Sequence, residues 1–239
     1  MIKEALEYLV GLGNTRIEEI HGEKFSTQPV HLIEEPTVER LEVRSLSGLV
    51  DYLSSNFDDI ISDDNRVLIH VENPTSVRAV GQFNLDAKRN IFIRAQAHLP
   101  EFAFDRFYDT EAFNIKLQSA FVDDDDRQPV IDCVSSITEE NVQTTSDDGT
   151  KQVVTARTGI AEVGRLEVPN PVLLRPYRTF TEVEQPASDF VFRLKNGPLC
   201  ALFEADGGAW QQEAMLNARN YLTDALSDLI EQKKIVIIS

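Results

Sequence analysis

The chain has 239 residues, with 40 Asp and Glu against 23 Lys and Arg, for a net charge of −17. An apolar fraction of 42% with 8% aromatics supports a real core and excludes a long disordered chain. The acidity disfavours duplex nucleic acid, whose phosphates need a basic surface, and no apolar run nears the ~18–20 residues of a membrane helix.

Apolar Ile2, Ala5, Leu6, Leu9 and Val10 recur at helical spacing over Ile2 to Leu12, and Gly11 and Gly13 are expected to end that helix. Arg16 to Glu34 is polar and broken by Gly22 and Pro29, so residues 1–36 read as a helix and an extended arm. A strand is predicted over Val38 to Val43. A helix follows from Leu46 to Ser55, N-capped by Ser45, with Leu46, Leu49, Val50 and Leu53 on one stripe. Val67 to Val71, Val77 to Phe83 and Ile91 to Ala97 read as a meander of strands, its tip at Asp86 to Asn90. Asp109 is a second N-cap, for an apolar helix carrying Phe113, Leu117 and Phe121. A third helix is predicted over Pro129 to Ile137, with proline tolerated in its first turn.

Val142 to Thr145 and Gln152 to Ala156 read as a hairpin across Asp147-Asp148-Gly149, and Val163 to Val168 as a short strand. Pro169, Pro171, Pro176 and Pro186 predict an ordered, extended crossover, because Leu173, Leu174, Tyr177 and Phe180 need burial. Phe190 to Leu194 pairs with Leu199 to Glu204. Gly207-Gly208 then lead into the longest helix, Ala209 to Lys234, where Trp210, Ala214, Ala218, Tyr221 and Leu222 form the buried stripe. The result is a single α+β domain over 1–239, with antiparallel sheet or sheets, a long C-terminal helix and two or three shorter helices.

Catalytic signatures are missing. There is no GxSxG elbow, GxGxxG turn or P-loop, so no catalytic residue, metal or cofactor is assigned. Cys133 and Cys200 stand in apolar settings and read as inert thiols. His21, His31, His70 and His98 are scattered, and His70, in a strand of Val, Leu and Ile, reads as a core histidine. Asp123 to Asp126 lacks the spacing of a calcium loop and reads as a solvated run. The candidates for holding a ligand or partner are Arg175, Tyr177 and Arg178 of the crossover with Glu204 and Asp206 of the final strand and turn. Pairing of Arg175, Arg178 and Arg193 with Glu182, Glu184 or Glu204 is favoured over an anion site. Asp206 is expected to cap the last helix, with Gly207 or Gly208 at positive φ.

Three stretches carry a resemblance: Asp109 to Gln118; Val168 to Val172 with Arg175 to Phe180 and Val183 to Pro186; and Ala201 to Trp210. With the Asp-Asp-Gly hairpin before Thr155 to Gly159, they resemble the YfdQ-like family of bacteriophage and prophage proteins, over roughly Leu46 to Leu222. The resemblance implies a phage-encoded protein of the host cytoplasm and supplies no catalytic residues. The absence of a leader in Met1-Ile2-Lys3-Glu4-Ala5 agrees with a cytoplasmic expectation. The expected function is therefore non-enzymatic: a homo-oligomer, or a binder of a host or phage protein or of a small-molecule signal, in the manner of a host-defence inhibitor. The alternatives are a ring- or shell-forming structural protein, and a metal-dependent hydrolase or nuclease using Glu204, Asp206 and Glu213. Self-association is expected because the last helix and the crossover carry more apolar surface than one small sheet covers.

Overall fold

In the computed structural model the described residues are 2–13, 17–21, 23–26, 39–84, 87–137, 143–147, 152–158, 162–167, 170–195, 197 and 199–239. Residues 1–37 with 85–87 make one unit, and 38–84 with 88–239 a second. In the first unit, the stripe that began at Ile2 forms α1 (Ile2–Gly13), which passes Gly11 and ends at Gly13. Two short strands, β1 (Ile17–Ile20) and β2 (Glu23–Ser26), pair antiparallel after it. Gly22, Pro29, His31 and Val38 lie outside the described residues.

In the second unit two helices start at side-chain caps. After β3 (Leu41–Val43), Ser45 Oγ accepts the Gly48 N–H and starts α2 (Leu46–Ser55), burying Leu46, Leu49 and Leu53. Strands β4 (Val67–Asn73), β5 (Ser76–Phe83) and β6 (Arg89–Gln96) form the meander. β7 (Tyr108–Asp109) ends in the second cap, where an Asp109 carboxylate oxygen accepts the Ala112 N–H at the start of α3 (Thr110–Ala120). α4 (Gln128–Ser135) carries Pro129 in its first turn, where the missing N–H costs no helical bond. Strands β8 (Gln143–Asp147), β9 (Gln152–Thr158) and β10 (Glu162–Glu167) make a three-stranded antiparallel sheet; the Asp148-Gly149 turn is outside the described residues. β11 (Val172–Leu174), β12 (Ser188–Lys195) and β13 (Leu199–Glu204) follow, then α5 (Trp210–Ala225), α6 (Ser227–Glu231) and β14 (Ile235–Ile238).

Two further sheets organise the second unit. One runs β11-β12-β13-β7 and is antiparallel throughout; the other runs β14-β4-β5-β6-β3. In the latter the meander is antiparallel, while both edge strands join in parallel, β14 on β4 and β3 on β6. The α+β class holds. The C-terminal helix, however, is shorter than its periodicity suggested. It closes with Leu226 N–H on Leu222 O, α6 adds one more turn, and Lys233 at φ +59° reverses the chain into β14. The β-branched run Ile235 to Ile238 has a ladder to join there, and Ile235 is buried.

Each sheet has its own core. Phe113, Leu117, Val130, Phe190 and Phe192 pack on the four-stranded sheet, while Leu49, Ile69, Ala79, Ile93, Ala218 and Leu222 pack on the five-stranded one. The crossover is the thread between them. Leu174 is buried in the first core and Phe180 in the second, so the chain passes from one interior to the other along this segment. On β4, Val67, Ile69 and Val71 face the core. His70 is therefore not a core histidine: it lies half-buried on the opposite face, where an Arg78 Nη is 3.5 Å from its Nδ1.

Candidate functional site

The segment between the two cores must place backbone and side-chain polar groups in a dry setting, and it does so with a network around Arg178. Gln185 Oε1 accepts the N–H groups of Arg178 and Thr179, and its amide donates to Phe180 O and Val183 O. The Thr179 hydroxyl donates to Pro74 O. These bonds fold the crossover into a fixed turn and leave the Arg178 guanidinium, 8% exposed, pointing toward the end of β13.

Arg178 Nη1 donates to Glu204 Oε1 at 2.7 Å, and Nη2 donates to Ser188 Oγ. Ser188 in turn donates to Asp206 Oδ2 at 2.6 Å, while Asp206 Oδ1 accepts the Gly208 N–H at 3.0 Å. Burial lowers the Arg178 pKa against the opposing charges of Glu204 and Asp206; a guanidinium still keeps its proton. Burial raises that of Asp206, yet the Ser188 and Gly208 hydrogen bonds, the Arg178 charge and the Trp210 N–H together hold it below the usual carboxylate value. Gly207 and Gly208 both take positive φ, +62° and +82°, as a short reversal between strand and helix requires. Asp206 thus caps the turn that leads into α5, although the formal N-cap residue is Ala209 and has no side-chain bond.

Aromatic rings enclose the cation. The Arg178 guanidinium carbon stands 4.0 Å from the Trp210 ring centroid, 5.6 Å from Phe190 and 5.9 Å from Phe104. Stacking of this kind contributes about 2 kcal/mol when the pair is desolvated. Trp210 differs here from its sequence reading. It belongs to neither core and is only half-buried, because the α5 stripe that enters the core is Ala214, Ala218 and Leu222. Nothing in helical periodicity could have revealed its arginine partner.

A cavity of about 210 Å³ opens beside this arginine, lined among others by Phe102, Phe104, Pro176, Tyr177, Arg178 and Trp210. Arg178 Nε, also buried, carries no hydrogen bond; a buried donor left so costs about 1–3 kcal/mol. A larger hollow of about 360 Å³ includes Asp58, Asp59, Asn65 and Arg66, all exposed, and so gathers solvated rather than buried charge.

The five candidate residues thus separate into two groups. Arg178, Glu204 and Asp206 form one network, and Tyr177 lines the adjoining cavity. Arg175 is elsewhere: it pairs with Asp124 at 2.7 Å and Asp126 at 3.6 Å. The acidic run is consequently not a freely solvated stretch, since Asp123 also pairs with Arg127 and Asp124 accepts the Arg127 N–H. Among the described residues no group of His, Cys, Asp and Glu is disposed to hold a metal ion. Burial pushes the Cys133 thiol up to about 11 and, with Cys133 and Asp109 adding to burial, that of Cys200 to about 12, the reverse of what a thiolate nucleophile needs. Sequence reasoning missed Ser188, Gln185, Phe102 and Phe104; the first two are polar residues whose burial only the fold imposes. No family model, curated protein or solved structure matches this chain.

Proposed function

We propose that this protein acts by association rather than by chemistry, as a phage accessory protein of the host cytoplasm whose copies assemble through the N-terminal helix. The observation that carries this reading is α1. Its apolar stripe leaves Ile2 81%, Leu6 56% and Leu9 64% exposed in the single chain. A helix of 12 residues is marginal in water by itself, so a packing partner supplies what its sequence lacks. Exposed Ile17, Ile20 and Phe25 of β1 and β2 extend the apolar surface of the same unit. The surplus therefore sits on the N-terminal unit, while Ala214, Ala218 and Leu222 of α5 and Leu174 and Phe180 of the crossover are buried within the chain.

Symmetric self-association is the common means of covering such a stripe. The resemblance to a phage and prophage family supports an infected cell as its setting, with a host-defence protein as the partner class beyond the copies themselves. Light scattering on the full chain tests the reading. The expected result is a mass several times 26.9 kDa, reduced to that of one chain in a Leu6→Glu/Leu9→Glu variant with unchanged melting. A wild-type monomer at micromolar concentration would overturn it.

A further inference from the structure

We propose that the open face of the five-stranded sheet receives α1 of a second copy, so that the apolar stripe of one chain lands on the sheet of another. The inference rests on assembly through α1 and adds the surface on which that helix lands.

One face of that sheet is covered from within the chain. Leu49 of α2 and Ala218 of α5 pack with Ile69, Ala79 and Ile93. Side chains alternate along a strand, so the residues between these point to the other side. There the register lines them up in two rows. Val236, Leu68 and Val80 stand side by side across β14, β4 and β5, and Ile238, His70, Arg78 and Arg94 across β14 to β6. Val236 and Ile238 are 49% and 42% exposed and Leu68 is half-buried, over a floor formed by buried Val80. The first row is thus an apolar surface.

Charge distinguishes the second row. Arg78 and Arg94, both part-exposed, share the single carboxylate of Glu72 at 3.2 and 3.4 Å. Glu42, which stands opposite Arg94, is already paired with Arg40. The row is therefore net positive on a chain of −17. The unit that carries α1 is the reverse: Glu4, Glu7, Glu18 and Glu19 are exposed there, against Lys3 and Lys24. An apolar row beside a basic one thus complements an apolar stripe on an acidic unit. Pairing of two α1 helices would instead bring two acidic units together, which like charge opposes. Apolar burial holds the contact and charge orients it.

Length agrees as well. The 12 residues of α1 make a rod about 18 Å long. Strands β4 and β5, of 7 and 8 residues, run about 23–26 Å, so the face is long enough to seat the helix.

Thiol cross-linking of the full chain locates the contact. Ala5 lies on the α1 stripe and Val236 on the apolar row, and both are exposed, so Ala5→Cys and Val236→Cys are mild changes. The native Cys133 and Cys200 are buried, and the wild type serves as the unreactive control. The two variants are made as separate proteins, mixed in equal amounts and treated with a short bismaleimide, so that any link between position 5 and position 236 joins two copies. The expected result is a covalent dimer from the mixture, well above the yield from either variant alone. Light scattering on the same proteins separates this inference from the reading beneath it. If the mass is that of an assembly but Ala5→Cys links best to itself, the helices pair with each other and the sheet face is not their partner. If Val236→Cys links best to itself, the edges of two sheets meet and the inference fails in the same way. It fails too if the assembled mixture links no better than either variant alone. A chain that is monomeric throughout overturns assembly and, with it, the docking of α1.

Discussion

Arg178 shows how one side chain can serve packing and electrostatics together. Its fork meets Glu204 and Ser188 while its face meets Trp210, so truncation removes a cation, two hydrogen bonds and a stacking surface at once. Arg178→Ala is expected to lower the unfolding free energy by about 2–3 kcal/mol, mainly through the lost hydrogen bonds and ring stacking of a buried cation, since Glu204 is exposed enough to be solvated; urea denaturation measures this directly. Asp206 makes a prediction about acid. Despite burial, its hydrogen bonds hold its folded pKa below the ordinary 3.8. The stability it contributes is complete above that ordinary value and is lost as pH falls through the lower, folded one. Urea midpoints taken between ~pH 5 and ~pH 2 should therefore fall in the wild type and fall less in Asp206→Asn, whose amide does not titrate.

Two helices of the second unit, α2 and α3, owe their starts to single oxygens. Asp109 accepts the Ala112 N–H at 2.7 Å and Ser45 the Gly48 N–H at 3.1 Å. Asp109→Ala is expected to cost about 1 kcal/mol, within a range of roughly 0.5–2 kcal/mol. Thermal unfolding checks it, and the neighbouring Glu111→Ala, which lacks a capping bond, serves as the contrast. The final strand behaves differently, because its worth is tertiary. Ile235 is 2% exposed and registers against Val67, so Ile235→Ala should cost about 2–5 kcal/mol through lost burial and the cavity left behind. An exposed position of the same strand, Val236→Ala, should cost well under half as much by the same measurement.

The charge of the whole molecule sets the terms of association. At −17, copies repel one another, and an apolar contact through α1 must overcome that repulsion. Added salt screens it within a Debye length of ~8–10 Å near physiological strength. Self-association should therefore tighten as sodium chloride rises from about 20 to 300 mM, measured by sedimentation. A contact dominated by ion pairs would weaken instead. The same long-range repulsion predicts no retardation of a duplex DNA probe in a mobility-shift assay.

Much of this protein was legible in its sequence because the signals are local. A cap needs a short polar side chain a few residues before an apolar stripe, and Ser45 and Asp109 supply it. Apolar, β-branched and aromatic runs mark β4 and β12, and a double glycine after Glu204 marks a reversal that only positive φ allows. The tertiary structure decided everything that depends on distant partners. No breaker separates α5 from Ile235, so only the waiting edge of β4 turns the chain's end into a strand. Arg175 and Arg178 stand three residues apart, yet one faces Asp124 and the other Glu204, because the crossover passes from one core to the other over this stretch. Trp210 stands in phase with a buried stripe and still leaves it, since a charged ring-stacking partner from 32 residues earlier occupies its face. Periodicity specifies which side of an element is apolar; what that side meets is a property of the folded chain alone.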